Sequence, residues 1–351
     1  MKANTNRMNK GNMLRYFIFI VYFVLLASAC KKNEVAGEST VSGVVLDKSM
    51  MLLGVGENET ITARELPGTA AIISANWTSS DNNVATVTDG RVTGIAYGTA
   101  TITAISKNGK HKDVCTVTVS KTIALRSQIR WGDNVLINLK GEDTVTIDWG
   151  EGSKFETFSF QDYTSFRHFY AHTNISFITI KISGNNIKEF YCTSLILTNL
   201  DVSRNPELTG LYLDRNQLSS LDISGNPKLA SLIIYSNQIQ SLDMSENREL
   251  SRLTVSNCLL TSLDVSKNTK LSTLICNQNQ ITNLNLSASQ FFLRILNCSN
   301  NQLTTEALNN LFESLHDFTF TNQEKIIYIS NNPGADDCNR SIATNKGWSV
   351  R

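Results

Sequence analysis

The chain has 351 residues, of which 18% are charged and 41% hydrophobic, a composition that excludes intrinsic disorder and allows two or three domains. Its formal net charge of +1 becomes −3 once the first 29 residues, which hold four basic groups and no acid, are set aside. A mature chain of that charge lacks the basic surface that a phosphate backbone requires, so we expect no nucleic-acid partner.

Residues 1–29 have the order of an export signal: a basic stretch, fourteen nearly all apolar residues from Tyr16 to Ala29, and small residues at the end. As a helix, this apolar stretch would span about 21 Å, against about 30 Å of bilayer hydrocarbon. It is therefore too short to cross a membrane, and we expect the mature protein outside the cytoplasm.

The residues Ala27-Ser28-Ala29 before Cys30 resemble a bacterial lipobox, although Ala27 stands where lipoboxes usually carry Leu. The resemblance implies that Cys30 is lipidated and that residues 30–39 are a tether from the membrane. Ordinary cleavage at the same bond, leaving Cys30 as a free thiol, is the alternative.

Residues 40–121 alternate apolar and polar side chains with a period of two, which predicts a small β-sandwich. Asp89-Gly90 between two such runs predicts a tight hairpin turn. The stretch "ANWTSSDNNVATVTDGRVTGIAYGTATITA" resembles the bacterial Ig-like type 2 (BIG2) domain, with Trp77 as the expected core aromatic residue. Cys115 is in phase with Val117 and Val119, which predicts a buried thiol.

Residues 122–176 form a second β-rich segment, which we interpret as a bridging module. Its "DWGEG" and "HFY" stretches resemble parts of a PKD-type Ig-like domain, but Glu151 stands where Asp is usual. His168 and His172 could share a strand face and bind a metal. Because no third ligand has a suitable spacing, we expect packed or solvated histidines and no metal or other cofactor.

Residues 177–303 repeat with a period of 21, which predicts a solenoid. The half we call the second edge, as in "LTGLYLDRNQL", resembles the leucine-rich repeat L-x-x-L-x-L-x-x-N-x-L, and the other half, the first edge, matches almost as well in "LSSLDISGNPKL". We therefore expect two extended edges per coil. The repeated leucines are Leu200, Leu221, Leu242, Leu263 and Leu284 on the first edge and Leu211, Leu232, Leu253, Leu274 and Leu296 on the second.

The asparagines predict two internal ladders, because an amide can satisfy backbone groups that are stranded where a coil turns. Cys192, Cys276 and Cys298 share one inward position, and Cys276 and Cys298 are close enough in the repeat for either free thiols or a disulfide. The ladder residues are Asn185, Asn205, Asn226, Asn247 and Asn268 on the first edge and Asn216, Asn237, Asn279 and Asn301 on the second.

The two edges differ in how much they vary. The first edge repeats Asp and then Ser in its outward columns, whereas the outward residues of the second edge change from coil to coil. Side chains that change do not fix the coil, and exposed Tyr and Ile suit a protein or glycan partner. The candidate binding surface is Tyr191, Tyr212, Asp214, Ile233, Tyr235 and Ile275.

Residues 304–351 predict a C-terminal cap with two short helices, the first starting at Thr304 or Thr305. The stretch "NNPGADDCNRSIA" resembles the ends of leucine-rich lipoproteins of gut Bacteroidetes. The chain has four histidines and none of the common nucleotide-binding, zinc-protease or serine-hydrolase motifs, so we expect no enzymatic activity.

Together these patterns predict a mainly β protein: Ig-like β-sandwiches followed by a leucine-rich-repeat solenoid with a short α-helical C-terminal cap. The expected function is non-catalytic macromolecular recognition, in adhesion or protein binding, by a monomer anchored through Cys30 to the outer membrane at the cell surface. The alternatives are a glycan-binding accessory of a nutrient-uptake system and a structural spacer with no ligand.

Overall fold

The computed structural model describes residues 42–67, 75–130, 132–152, 155–171, 177–286, 291–317 and 324–351. The predicted signal peptide, Cys30, the tether and His172 lie outside the described residues. Within them the protein is mainly β, and no helix is long and apolar enough to cross a membrane.

The first module is an Ig-like sandwich, as predicted. Its sheets have the strand orders β1-β4, β3-β7-β6 and β2-β9-β8-β5. Asp89 and Gly90, with φ of 50° and 79°, form the turn that joins β6 to β7. Cys115 is fully buried, and Trp77 packs against the core. The strands are β1 (Gly43–Leu46), β2 (Met50–Leu53), β3 (Asn58–Thr60), β4 (Ala63–Leu66), β5 (Asn76–Ser79), β6 (Ala85–Thr88), β7 (Arg91–Gly94), β8 (Gly98–Ile105) and β9 (Lys112–Val119).

The next five strands form what we call the N-terminal cap, residues 122–191. Strands β11 and β12 pair along their whole length, from Asn134 opposite Phe169 to Asp148 opposite Phe155. The Tyr170 hydroxyl donates a hydrogen bond of 2.6 Å to the Trp149 carbonyl oxygen, so this long hairpin curls until its two ends meet. The strands are β10 (Thr122–Ser127), β11 (Asn134–Asp148), β12 (Phe155–Phe169), β13 (Ile178–Ser183) and β14 (Ile187–Tyr191).

The curled hairpin covers both edges of the solenoid. The first half of β11 pairs with β14, which continues into the second edge, and its last residues pair with β13, which leads through β10 to the first edge. One hydrophobic core runs from Ile123 to Trp348, separate from the core of the Ig-like module. The expected boundary at residue 176 therefore lies within a shared core, because the end coil must bury its apolar interior against another layer.

The solenoid has about seven turns. On the second edge each strand pairs in parallel with the next, with Leu211 opposite Leu232 and Leu232 opposite Leu253. The first-edge strands are β15 (Leu197–Asp201), β19 (Ser262–Asp264) and β21 (Asn283–Asn285), and the second-edge strands are β16 (Gly210–Tyr212), β17 (Ser231–Ile233), β18 (Arg252–Thr254), β20 (Thr273–Ile275) and β22 (Ile295–Asn297).

The first edge is less regular than we expected. Around Leu221 and Leu242 it has no strand, and asparagine side chains carry the bonds between coils there. Asn226 Nδ2 donates to the Val202 and Asn205 carbonyl oxygens of the preceding coil, at 2.9 and 2.8 Å. Side-chain bonds thus replace part of the backbone ladder.

The C-terminal cap closes the array with helices α1 (Thr305–Ser314) and α2 (Ser341–Thr344) and strands β23 (Ile326–Tyr328) and β24 (Ser349–Val350). Thr304 Oγ1 accepts a hydrogen bond of 3.2 Å from the Ala307 amide, which caps α1 at its start. Gly347 has φ of 84°, and the buried Trp348 that follows donates from Nε1 to the His316 carbonyl oxygen at 3.2 Å. The last coil is covered by these elements.

Candidate functional site

The outward residues of the second edge form one continuous surface, which we call the variable face. Because the strands are parallel and in register, each outward residue lies beside its counterpart in the next coil. Its main column is Tyr191, Tyr212, Ile233, Thr254, Ile275, Asn297 and Tyr328.

All six candidate binding residues lie on or beside this face, and all are half-buried. Tyr191, Tyr212, Ile233 and Ile275 belong to the main column. The other two, Asp214 and Tyr235, lie two residues beyond it along their coils. Asp214 Oδ1 accepts a hydrogen bond of 3.0 Å from the Tyr235 amide, and burial outweighs this bond and raises the pKa of Asp214.

Three tyrosines pack together at the N-terminal end of the variable face. The rings of Tyr191 and Tyr212 stack with centroids 4.1 Å apart and an angle of 3°, and Tyr163 meets Tyr191 edge-on at 5.2 Å. A Cβ atom on Gly210 would lie 2.8 Å from Tyr212 Cε2, so the Tyr212 ring occupies space that only glycine leaves open. This packing holds the rings of Tyr191 and Tyr212 against each other.

The carboxylate of Glu189 ties this cluster together. It accepts hydrogen bonds from the Tyr191 hydroxyl and, at 3.0 Å, from Lys140 Nζ. Burial alone would raise the pKa of Glu189, but these bonds and the charge of Lys140 outweigh it and lower the pKa. Burial and the bond to Glu189 together raise the pKa of Tyr191, so this tyrosine is a neutral donor. The cluster is preorganised before any partner arrives.

Sequence reasoning missed the part of this cluster that the N-terminal cap supplies. Lys140 on β11 lies opposite both Tyr163 on β12 and Glu189 on β14, so the cap and the first coil share one outer surface. Tyr163 is 53% exposed. The repeat period could not have located these residues, because Tyr163 and Lys140 precede the repeats and reach the face only through the curled hairpin.

The scaffold under the variable face is fixed by its asparagine ladder, as predicted. Asn237 Nδ2 donates to the Leu213 and Ile234 carbonyl oxygens at 2.9 and 3.2 Å, and its Oδ1 accepts from the Leu218 amide at 3.1 Å. Asn216, Asn279 and Asn301 bond in the same manner. The prediction for Asn185 was wrong: this residue is exposed in the bend between β13 and β14, where no preceding coil offers acceptors.

The six described cysteines are buried free thiols. Burial raises the pKa of the Cys298 thiol to about 12 and that of Cys276 well above its ordinary value. Such thiols are unreactive and serve as small apolar core residues.

His168 is engaged within the cap. Its ring stacks on Trp149 at 4.9 Å, and its Nε2 lies 3.1 Å from Glu151 Oε2. Among the described residues, no group of three or more His, Cys, Asp or Glu side chains could hold a metal ion.

Known proteins resemble separate parts of the chain. Residues 40–117 match the family model of the bacterial Ig-like domain (group 2). An Ig-like virion protein of Serratia phage KSP90 is 42% identical over 82 residues, which are 23% of this chain and 32% of that protein. An uncharacterized protein of Clostridium acetobutylicum is 34% identical over 118 residues, 32% of this chain and 12% of that protein. The chain thus spans a third or less of the length of these relatives.

Among solved structures, the functional domain of InlJ from Listeria monocytogenes, described as including a cysteine ladder, aligns with a TM-score of 0.30 and 24% identity over 45% of this chain and 47% of that one. By sequence the first module matches the bacterial Ig-like family model, by fold it is an Ig-like sandwich, and a β-solenoid follows it.

Proposed function

We propose that this protein is a non-catalytic binding protein of the bacterial cell surface, and that its variable face recognises a protein partner. The observation that carries the proposal is the contrast within each coil. The interior and the first edge repeat nearly unchanged, whereas Tyr212, Ile233, Thr254 and Ile275 stand at one position of a single ladder.

The chemistry of the face supports a protein partner over a glycan. Sugar rings bind to aromatic faces, but one face of Tyr191 is covered by Tyr212 and the ring also meets the edge of Tyr163. The same face carries the aliphatic side chains of Ile233 and Ile275. Fixed tyrosine and isoleucine side chains with few charges are typical of the core of a protein interface.

The test is a binding screen of the full-length protein against immobilised collagen, fibronectin and laminin, and against starch, pectin and mucin glycans. The proposal predicts binding to a protein surface. Replacing Tyr212 and Tyr235 together by Ala should weaken that binding about tenfold or more, because aromatic anchors carry much of the energy of an interface.

The matched control replaces Gln217 and Gln238 by Ala. These two residues are exposed and lie in the same two coils, but off the variable face. Binding by the control that equals wild type, together with loss of binding in the tyrosine variant, supports the proposal. Binding to glycans alone favours the role of a glycan-binding accessory in nutrient uptake. No binding to any probe favours a structural spacer without a ligand. Binding that survives loss of both tyrosines means that another surface carries it.

We also propose that Cys30 carries a lipid that anchors the chain to the outer membrane. The support is the position of Cys30 directly after the small residues that end the apolar stretch. Metabolic labelling with a fatty-acid probe should mark the wild-type protein and leave Cys30→Ala unmarked. Equal labelling of both proteins would refute a lipid anchor at Cys30.

A further inference from the structure

The Ig-like module and the N-terminal cap are joined without a flexible linker. Strand β9 ends at Val119 and β10 begins at Thr122, which leaves two residues between them. The Ser120 amide donates to the Leu53 carbonyl oxygen of the Ig-like module at 2.9 Å, and the Lys121 carbonyl oxygen accepts from the Gly184 amide of the cap at 3.2 Å. The Ser120 and Ser183 hydroxyls also bond to each other. The connection is thus attached to both modules.

A half-buried lysine crosses the joint between the two modules. Lys181 of β13 donates from Nζ to Glu57 Oε1 at 2.7 Å, to Glu59 Oε2 at 3.0 Å and to the Leu52 carbonyl oxygen at 3.2 Å. Its side chain is only 13% exposed. Glu59 is also bonded to Lys48, so positive and negative groups alternate across the contact. All three donor positions of the ammonium group have acceptors on the Ig-like module.

A second contact lies beside the first coil. The Arg204 side chain lies over Gly54, where a Cβ atom would be 2.1 Å from Arg204 Nε. Asp201 Oδ2 accepts a hydrogen bond of 2.9 Å from Arg204 Nη1 and so holds this side chain in place. A side chain at position 54 would push the end of Arg204 aside.

From these contacts we infer that the Ig-like module and the solenoid form one rigid body, locked by Lys181, in which the module sets the direction of the variable face. A buried ion pair often adds little to stability, because desolvation offsets the attraction. It does select one geometry, since any other closed arrangement takes Lys181 away from its three acceptors and leaves Glu57 without its lysine partner. Two linker residues span at most about 7 Å, which keeps the module next to the cap but does not by itself set the angle between them.

The Ig-like module therefore holds the solenoid at a fixed angle and does not act as a flexible spacer. This inference does not depend on which partner the variable face binds. Domains joined by a small polar interface usually move relative to each other. A fixed angle between the Ig-like module and the solenoid is therefore a result that such an interface would not ordinarily give.

Amide nitrogen-15 relaxation on the full-length chain tests it. In the wild type, we expect amides of β8 and β9 to report the same overall tumbling time as amides of β16, β17 and β18. In Lys181→Met, the tumbling time of the Ig-like module should fall by about twofold or more relative to the solenoid, as expected for a small domain released from a larger one. Unequal times in the wild type would overturn the inference.

Lys188→Met is the matched control. Lys188 also lies in the cap and pairs with a glutamate, Glu207, at 3.3 Å, but its partner belongs to the solenoid. In this control variant the Ig-like module and the solenoid should keep the same overall tumbling time. A second variant, Glu57→Gln with Glu59→Gln, removes the two negative charges that Lys181 meets on the Ig-like module. It changes no residue of the cap. Unchanged chemical shifts within each module show that both variants are folded, and equal tumbling times in both would refute the role of Lys181.

Discussion

The two edges of one coil solve the same packing problem in different ways. On both edges leucine side chains fill the interior and a buried asparagine bonds to the coil before it. On the first edge the outward Asp and Ser bond to each other: Asp222 Oδ1 accepts from the Ser224 amide and hydroxyl at 2.9 and 2.7 Å. On the second edge the backbone ladder already holds the strands, so the outward positions are free to vary.

A repeat thus preserves a side chain where that side chain forms the local structure. The Asp–Ser pair closes a turn of the first edge, so it recurs as Asp201, Asp222, Asp243 and Asp264. Tyr212 and Ile233 close no turn, because their strands are held by main-chain bonds between coils. Three pairs of substitutions, one member on each edge, test this difference.

The largest effect should come from the two asparagine ladders. Asn237→Ala removes three donated bonds, one of them long at 3.5 Å, and one accepted bond and leaves buried backbone groups without partners, which should cost about 3 to 5 kcal/mol of unfolding free energy. Asn226→Ala should cost about 2 to 3 kcal/mol, because Asn226 Oδ1 has no partner among the described residues and loses nothing. Chemical denaturation of both variants measures the difference. Equal losses, or a greater loss for Asn226→Ala, would contradict this account of the ladders.

A glycine pair should give intermediate effects. A Cβ atom on Gly225 of the first edge would lie 2.6 Å from the Ser203 carbonyl oxygen, a backbone atom that cannot easily move. Gly225→Ala should therefore cost about 1 to 3 kcal/mol. On the second edge, Gly210→Ala pushes only on the Tyr212 and Glu189 side chains, so it should cost less than about 1 kcal/mol while it displaces the tyrosine stack.

The two glycine variants are separated by two measurements. Thermal unfolding should rank Gly225→Ala as the less stable variant. Near-ultraviolet circular dichroism, which reports the tyrosine environment, should change in Gly210→Ala and stay close to wild type in Gly225→Ala. The reverse pattern would mean that the Tyr191–Tyr212 stack is not held by the space above Gly210.

The smallest effect should be on the pH dependence of the unfolding free energy. The aspartates of the two edges should shift it in opposite directions, because the pKa of Asp222 is lowered and that of Asp214 is raised. Hydrogen bonds from Ser224 lower the pKa of Asp222 below 3.8, so its contribution to stability is present above pH 3.8 and is lost as the pH falls through the lowered pKa. Burial raises the pKa of Asp214 above 3.8, so its ionisation opposes folding once the pH rises above that value.

Replacing each aspartate by Asn tests these signs. Asp222→Asn should be less stable than wild type at pH 7 and approach it near pH 3. Asp214→Asn should be at least as stable as wild type at pH 7 and lose that advantage near pH 3, because an amide oxygen can still accept from the Tyr235 amide. Denaturation curves at pH 7, 5 and 3 measure both, and slopes of the same sign in the two variants would contradict the comparison.

Much of the site was predictable because it follows the repeat. A period of 21 residues places Tyr212, Ile233 and Ile275 in one column, and alternation along a strand decides which residues point inward. Tyr163, Lys140 and Glu189 could not be assigned to the cluster in the same way. They come from three different strands, and two of those strands precede the solenoid.

Local alternation and a short period specify the Ig-like module, the solenoid, both asparagine ladders except at Asn185, and the identity of the variable edge, so these features could be predicted before the chain was folded. That residues 122–191 close the solenoid, that Tyr163 joins Tyr191, and that Lys181 meets Glu57 and Glu59 became visible only in the folded chain. These contacts join residues far apart in the chain, and their partners are chosen by how a curled hairpin and a second module cover the open end of the solenoid.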